Sequence, residues 1–266
     1  MDKIKIGIIG LGVVGSAVKY GFEKMGHHVF SHDLKLKTSI LDVLTADAVY
    51  ICVPTPSADN GACDTSIVED TINQLTENNY GGVIIIKSTV RPGFTESMIK
   101  KYSNDRICFC PEFLRERAAV SDFQNMDVLI VGTDRDDVYT QIVMQHGKYP
   151  RSTVRLRPTE AELAKYFNNC YNATLVTFAN SFYEISVALN ADYMAVKNAI
   201  VKRDHIADIY LDCNENFRGF GGHCLPKDTA AIANLCDTRN VNVEFFKMLL
   251  NENSKYKTTV FEGMRK

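Results

Sequence analysis

The chain has 266 residues, of which 45% are hydrophobic and 23% charged, and its formal net charge is −2. These values are ordinary for one large or two modest globular domains, and a charge this close to zero argues against nucleic acid or an anionic membrane as partner. No apolar run is long enough to span a bilayer, and MDKIKIGIIGLG reads directly into a strand and a glycine turn, without the apolar stretch and cleavage site of a signal peptide.

Ile4 to Gly10 is a short apolar run closed by glycine, the pattern of a buried parallel strand. Val13 to Lys24 reads as a helix and His27 to Asp33 as a second strand. Ala48 to Pro54, Gly82 to Thr89, Arg106 to Pro111 and Asp127 to Gly132 read as further strands, with helical stretches such as Thr65 to Thr76 between them. Strands alternating with helices predict an α/β fold whose parallel sheet is covered on both faces. Ligands of such sheets bind beyond the carboxyl ends of the strands. The second half differs. Glu160 to Asn190 contains no proline or glycine, and Phe167, Tyr171, Leu175, Phe178, Phe182, Ile185 and Leu189 recur at three- and four-residue spacing. This predicts one amphipathic helix on the order of 45 Å long. A glycine-rich loop (RGFGGHC) and two shorter helices follow. Proline restricts the residue before it, so Arg157-Pro158 marks the boundary between a domain over 1–158 and an all-α domain over 159–266.

The eight cysteines are Cys52, Cys63, Cys108, Cys110, Cys170, Cys213, Cys224 and Cys236. They form no CxxC pair and no Cys/His group at zinc spacing, which predicts reduced thiols in a cytoplasmic protein and no metal site. Cys108 and Cys110 are expected on one strand face as core. Cys224 stands apart from the rest.

Five motifs carry chemistry. Gly10-Leu11-Gly12-Val13-Val14-Gly15 leaves a strand and opens a helix. Its glycines permit a tight turn, a close approach to a pyrophosphate and close helix–strand packing, while the helix N-terminus offers N–H groups to the phosphates. Asp33 ends the second strand, where a carboxylate can hold both ribose hydroxyls, which favours NAD over NADP. The first domain therefore reads as a Rossmann domain. Thr89 of KSTVRPG and the VPTP segment (Val53 to Pro56) lie at strand ends, where ligands collect but ordinary loop chemistry is equally at home. Glu112 and Glu116 of PEFLRE would share a face on a helical turn, and on spacing alone a solvated face paired with Arg115 and Arg117 is the better reading. Lys165 and Asn169 sit one turn apart on the long helix, with Asn172 extending the polar stripe. A lysine there can stabilise an alkoxide or move a proton, although periodicity alone favours a solvent-facing stripe. In Gly219-Phe220-Gly221-Gly222-His223-Cys224-Leu225-Pro226-Lys227-Asp228, glycines lead into a cysteine near a helix start, which favours the nucleophilic thiolate. Asp228 could orient a water. A buried cysteine after a flexible turn is the alternative.

GLGVVG, VPTP, KSTVRPG, PEFLRE, ELAKYFNN and FGGHCLPKD, in this order, resemble the UDP-glucose 6-dehydrogenase family within the UDP-glucose/GDP-mannose dehydrogenase group, and NENSKYK near the end is also similar. The resemblance implies NAD-dependent oxidation of a nucleotide sugar, such as UDP-glucose, to the uronic acid by two hydride transfers. Cys224 would carry a thiohemiacetal and then a thioester. Lys165 and Asn169 would stabilise the oxyanion, and Glu116 and Asp228 would handle protons and the hydrolytic water. The cofactor would be held by Gly10, Leu11, Gly12, Val13, Val14, Gly15, Asp33, Pro54 and Thr55, with Thr89, Glu116 and Lys227 nearby. Phe113, Leu114, Arg115, Lys165, Asn169 and Gly221 would meet the substrate. Family members carry a third, nucleotide-holding domain, whereas this chain stops soon after the long-helix domain, being either naturally short or a fragment. His205 stands where an arginine is usual, Arg117 and His223 replace a small residue and a serine, and extra residues around Cys213 to Phe217 precede the glycine loop. Two other readings are a β-hydroxyacid-type dehydrogenase making a single oxidation, and an NAD-binding protein without activity. The long helix is expected to form a homodimer.

Overall fold

The structure is a computed structural model that describes residues 3–256. In chain order the first part comprises β1 (Lys5–Ile9), α1 (Val13–Lys24), β2 (His28–His32), β3 (Ala48–Ile51), α2 (Ser66–Glu77) and β4 (Val83–Ile86). Then come α3 (Phe94–Tyr102), β5 (Ile107–Phe109), α4 (Ala119–Gln124), β6 (Val128–Gly132), α5 (Asp136–His146) and β7 (Ser152–Leu156). The strands form one seven-stranded sheet in the order β2-β1-β3-β4-β5-β6-β7. Neighbours are parallel except β5 and β6, which run antiparallel, so the sheet is mixed and not wholly parallel as the alternation of elements suggests. The connection from β5 contains only the PEFLRE loop and the short α4. It re-enters the sheet from the end it left, and no periodicity signal reports that reversal. The edge strand β7 was not legible in the sequence either, because its side chains are mostly exposed and carry no apolar run.

The central strands are buried on both faces, as their continuous apolar runs require. Alternation sorts their side chains into two cores. Val49, Ile51, Ile84, Ile86, Ile107 and Phe109 pack with α2 and α3 on one face. Tyr50, Ile85, Cys108 and Cys110 pack with Val18, Phe22 and Ile142 on the other. Cys108 and Cys110 are thus core residues sharing one face.

The second part contains α6 (Pro158–Ala188), α7 (Tyr193–Ile200), α8 (Cys224–Thr238) and α9 (Phe245–Asn253). Pro158 opens α6, where a missing N–H costs nothing. The chain divides into two compact units, one built from residues up to Pro56 with Cys63–Lys165, the other from Ser57–Ala62 with the residues from Tyr166 on. By contacts the division falls after Lys165, inside α6, because the first turns of the helix are tied to the first unit. Ala161 sits in the core beside the sheet, and Glu162 accepts hydrogen bonds from Gly93 N (2.6 Å) and Thr95 N (2.8 Å) at the start of α3. Ser57–Ala62 joins the second unit, where Asn234 Nδ2 donates to Asn60 O at 3.1 Å.

The buried side of α6 is not its aromatic side. Lys165, Asn169, Cys170, Ala173, Thr177 and Asn180 are buried, while Phe167 is 75% exposed and Phe178, Phe182 and Ile185 are also exposed. Lys165 and Asn169 therefore do not form the solvent-facing stripe that periodicity favours. Among the described residues no helix is long and apolar enough to cross a membrane.

Candidate functional site

In the first unit, strand order reverses between β1 and β3, since the chain passes from β1 to β2 on one side and to β3 on the other. A ligand of an open α/β sheet binds at that crevice. The glycine run follows β1 and VPTP follows β3, so both flank it. Gly10 adopts φ +89°, and a Cβ there would lie 2.6 Å from Cys52 O. A Cβ on Gly15 would strike Gly10 O, whereas one on Gly12 would meet nothing within 4 Å. Gly10 and Gly15 are thus small for the protein's own packing, and Gly12 faces open space. Gly12 caps α1 without a side-chain hydrogen bond, and the first turn of α1 carries no acidic residue. The amides of that turn can receive an anion.

Asp33 lies directly after β2 and closes this cradle. Its Oδ2 accepts from Leu11 N at 2.7 Å and its Oδ1 from Lys35 N at 2.8 Å. These two backbone donors, Leu11 first, hold its carboxyl below the usual range. The carboxylate stays ionised beside the glycine run, and each oxygen keeps a lone pair for a hydroxyl. The residues present therefore fit a dinucleotide: an anion-receiving helix end, an open approach at Gly12, and a carboxylate acceptor for ribose. Pro54 and Thr55 follow β3, and Thr89 lies just beyond β4, its carbonyl accepting from Cys63 Sγ at 3.4 Å.

The PEFLRE loop departs from the sequence reading. It is not helical at Glu112, so the two glutamates do not share a face. Glu116 is exposed on a 3-10 turn, Glu116–Ala118. Glu112 turns inward and pairs with Lys165, whose Nζ lies 2.9 Å from Glu112 Oε1 and 2.7 Å from Glu112 O. The two side chains are 10% and 5% exposed. Burial alone would push the Glu112 carboxyl up, but Lys165, the Leu114 N–H and Lys87 outweigh it and hold it below the ordinary value. Arg115 pairs with Asp122 at 2.6 Å. Phe113 places its ring 5.6 Å from Lys165 Nζ. Sequence reasoning gave two residues here no place in the site. Glu112 itself is one. The other is Lys87 of KSTVRPG, buried and donating to Cys110 O (3.3 Å) and Pro111 O (3.4 Å), which anchors the start of the loop. A lysine inside a strand-end run of apolar residues is the signal that could have found it.

In the second unit, Cys224 is the first residue of α8, and its thiol side chain is exposed. Asp228 follows one turn later and is buried. Its Oδ2 accepts from Asn169 Nδ2 at 2.6 Å and its Oδ1 from Lys227 Nζ at 2.7 Å. Asn168 Nδ2 donates to Asn169 Oδ1 at 3.0 Å, which fixes the orientation of the Asn169 amide. The structure thus joins Asn169, Asp228 and Lys227 directly, with Cys224 on the same face of α8 as Asp228. Gly221, half-buried, precedes Cys224 in the loop. Such a set offers a thiol nucleophile at a helix N-terminus, an amide donor and a carboxylate acceptor. The eight cysteines form no disulfide, and the described residues contain no group of three potential metal ligands.

Residues 30–146 match the NAD binding domain of the UDP-glucose/GDP-mannose dehydrogenase family, and residues 159–255 match its central domain. The UDP-glucose 6-dehydrogenase AglM of Haloferax volcanii is 28% identical over 282 residues, covering 86% of this chain and 64% of that protein. A UDP-glucose 6-dehydrogenase of Streptococcus pneumoniae is 33% identical over 220 residues, covering 78% of this chain and 55% of that one. A solved UDP-glucose dehydrogenase from Pyrobaculum islandicum shares the fold with a TM-score of 0.88 at 25% identity, covering 96% of this chain and 68% of that chain. The chain spans between about half and two thirds of the length of the curated relatives it matches.

Proposed function

Because this chain belongs to the UDP-glucose/GDP-mannose dehydrogenase family, we propose that it oxidises the C6 hydroxyl of a nucleotide sugar, UDP-glucose, to the uronic acid. Cys224, one helical turn before the Asp228–Asn169 pair, is the observation that carries this reading, since a single alcohol oxidation needs no thiol. NAD, when bound, accepts the hydride in each of two oxidations.

The chain's own residues divide the remaining work. The amides at the start of α1 and the Asp33 carboxylate bind phosphate and ribose hydroxyls. Lys165 stabilises the alkoxide that forms as the C6 hydroxyl gives its proton to a water that relays it to solvent, and Glu112 holds the Lys165 ammonium in place. The Cys224 thiolate adds to the C6 aldehyde, forming the C–S bond of a thiohemiacetal whose oxyanion takes up a proton. A second oxidation converts this to a thioester. Asn169 offers its second Nδ2 hydrogen to the oxyanion, the first being held by Asp228. Asp228 orients the water that adds to the thioester carbon, whereupon the C–S bond breaks, the thiolate leaves and the uronate is released. Thr89, Glu116 and Lys227 serve the cofactor region and proton movement, and Phe113, Leu114, Arg115 and Gly221 contact the sugar nucleotide.

A second copy of the chain covers the exposed aromatic side of α6, where Phe178 and Phe182 stack at 4.7 Å between ring centroids. That much exposed aromatic surface on one helix is costly in water. A cytoplasmic setting fits cysteines without disulfides. The test is the yield of NADH per UDP-glucose consumed in excess NAD. Two per sugar is the expected result. One per sugar would point to single-step dehydrogenase chemistry, and none with any nucleotide sugar would sink the reading. Sedimentation as a monomer at micromolar concentration would sink the dimer.

A further inference from the structure

The glycine-rich run before Cys224 is the kind of sequence that loses most entropy on ordering, and Gly219 and Gly222 adopt φ of +62° and +77°. It is nevertheless held at two consecutive peptide groups by two buried asparagines. Asn180, on α6, is 1% exposed. Its Oδ1 accepts from Gly219 N (3.1 Å), Arg218 Nε (2.8 Å) and Cys213 Sγ (3.4 Å), while its Nδ2 donates to Val176 O at 2.8 Å. Asn253, the last residue of α9, both accepts from and donates to Phe220: Phe220 N to Oδ1 at 2.7 Å, and Nδ2 to Phe220 O at 2.9 Å. The Phe220 ring packs with Ala173 and Leu249 beneath this clamp. Asn253 lies in the NENSKYK segment, whose Lys257 falls outside the described residues and to which the catalytic reading gives no task.

We propose that Asn180 and Asn253 are positioning residues that fix the Gly219–Phe220 backbone and so hold the Cys224 thiol at the first turn of α8. The proposal rests on the reading of Cys224 as the nucleophile. The chemistry of the two clamps differs. Asn253 must offer both a donor and an acceptor to one residue's backbone, which a carboxylate cannot do. Asn180 serves the loop only as an acceptor, so a carboxylate of the same shape can replace it there, facing the Arg218 guanidinium. Without either clamp the glycines recover their freedom, the start of α8 frays, and the thiol loses both its place and the helix N-terminus that favours its thiolate.

The test is the pH dependence of Cys224 alkylation by iodoacetamide in the full chain, resolved by peptide mass spectrometry, alongside kcat and the KM values for UDP-glucose and NAD. Asn253→Ala, Asn253→Asp and Asn180→Ala are expected to move the alkylation midpoint upward and to lower kcat by roughly tenfold to a hundredfold, as misplacement of a reacting group does, with KM for NAD nearly unchanged. Asn180→Asp is expected to keep the wild-type profile. Wild-type profiles in folded Asn180→Ala and Asn253→Asp would overturn the proposal, as would an Asn180→Asp that behaves like Asn180→Ala. Should Asn253→Ala fail to fold, the isosteric Asn253→Asp and the Asn180 pair still decide. Alkylation needs no substrate, so shifted profiles in a chain that oxidises no nucleotide sugar would overturn the functional reading and leave the clamp standing.

Discussion

Lys165 Nζ lies 2.9 Å from Glu112 Oε1, with both side chains almost wholly withdrawn from solvent. A buried pair of this kind is costly to assemble and costlier to break, because removing one partner strands the other charge. Lys165→Met is expected to destabilise the fold by roughly 3–5 kcal/mol, and the double variant Glu112→Gln/Lys165→Met to recover much of that loss. Urea denaturation of the two singles and the double measures the coupling. Additive losses would show that the two side chains do not act as a pair. The depressed Glu112 carboxyl gives the pair a pH signature: its contribution is present above the ordinary glutamate range and is lost as pH falls through the folded value.

Gly12 and Gly10 separate binding from folding. A methyl at Gly12 meets nothing within 4 Å and its φ is −69°, so Gly12→Ala should leave the melting temperature unchanged while intruding on a bound pyrophosphate. NAD affinity is expected to fall about tenfold or more, the equivalent of 1.4 kcal/mol or above. Gly10→Ala puts a Cβ against Cys52 O in a left-handed conformation and should lower stability outright. Calorimetric titration with NAD and thermal melts on both variants check this, and an unaltered affinity in Gly12→Ala would remove the cofactor from this cradle.

Glu162 sets a second pH dependence, of opposite sign. Burial pushes its carboxyl up to about 7, against the Thr95 and Gly93 donors that favour the ionised form. Below the ordinary value of 4.5 the folded and unfolded chains both hold the proton. Between 4.5 and 7 only the folded chain does, so stability falls as pH rises through that window, by roughly 3 kcal/mol in total, and is flat in this group above it. Denaturation curves at pH 5 and pH 8 should show the difference in the wild type and lose it in Glu162→Gln. An equal slope in both proteins would assign the pH dependence to other groups.

Cys224→Ser tests chemistry by a near-isosteric change at an exposed residue. A hydroxyl at that position is a far weaker nucleophile than a thiolate. The variant is expected to melt with the wild type and to bind NAD equally well, yet to yield no uronic acid. Product analysis by mass spectrometry, with NADH counted in the same reaction, checks this. Full formation of uronate by Cys224→Ser would remove the covalent step.

Local patterns were enough for the first βαβ unit and for α6, because these depend on features that lie within a few residues of one another. Continuous apolar runs read as β1, β3 and β4, and the glycine spacing after β1 with Asp33 after β2 reads as a dinucleotide site. The helix period in α6 was equally plain. What it could not convey was which side of α6 is buried: large aromatics at the right spacing mark an apolar face, but only packing shows that Lys165, Asn169 and Asn180 point inward while Phe167 and Phe178 point out. Glu112 is separated from Lys165 by 53 positions, Asn169 from Asp228 by 59 and Phe220 from Asn253 by 33. Spacing rules reach one or two helical turns, so Glu112 read as part of a solvated face and Asn253 as nothing in particular. The antiparallel β6 was hidden for the same reason, since strand direction depends on where a connection ends in space. The sequence by itself determined most of the strands, the long helix, the glycine run with Asp33 after the second strand, and the residue types available for chemistry. The tertiary structure decided which of those residues meet, because desolvation and hydrogen-bond partnership are properties of neighbours in space and not of neighbours in the chain.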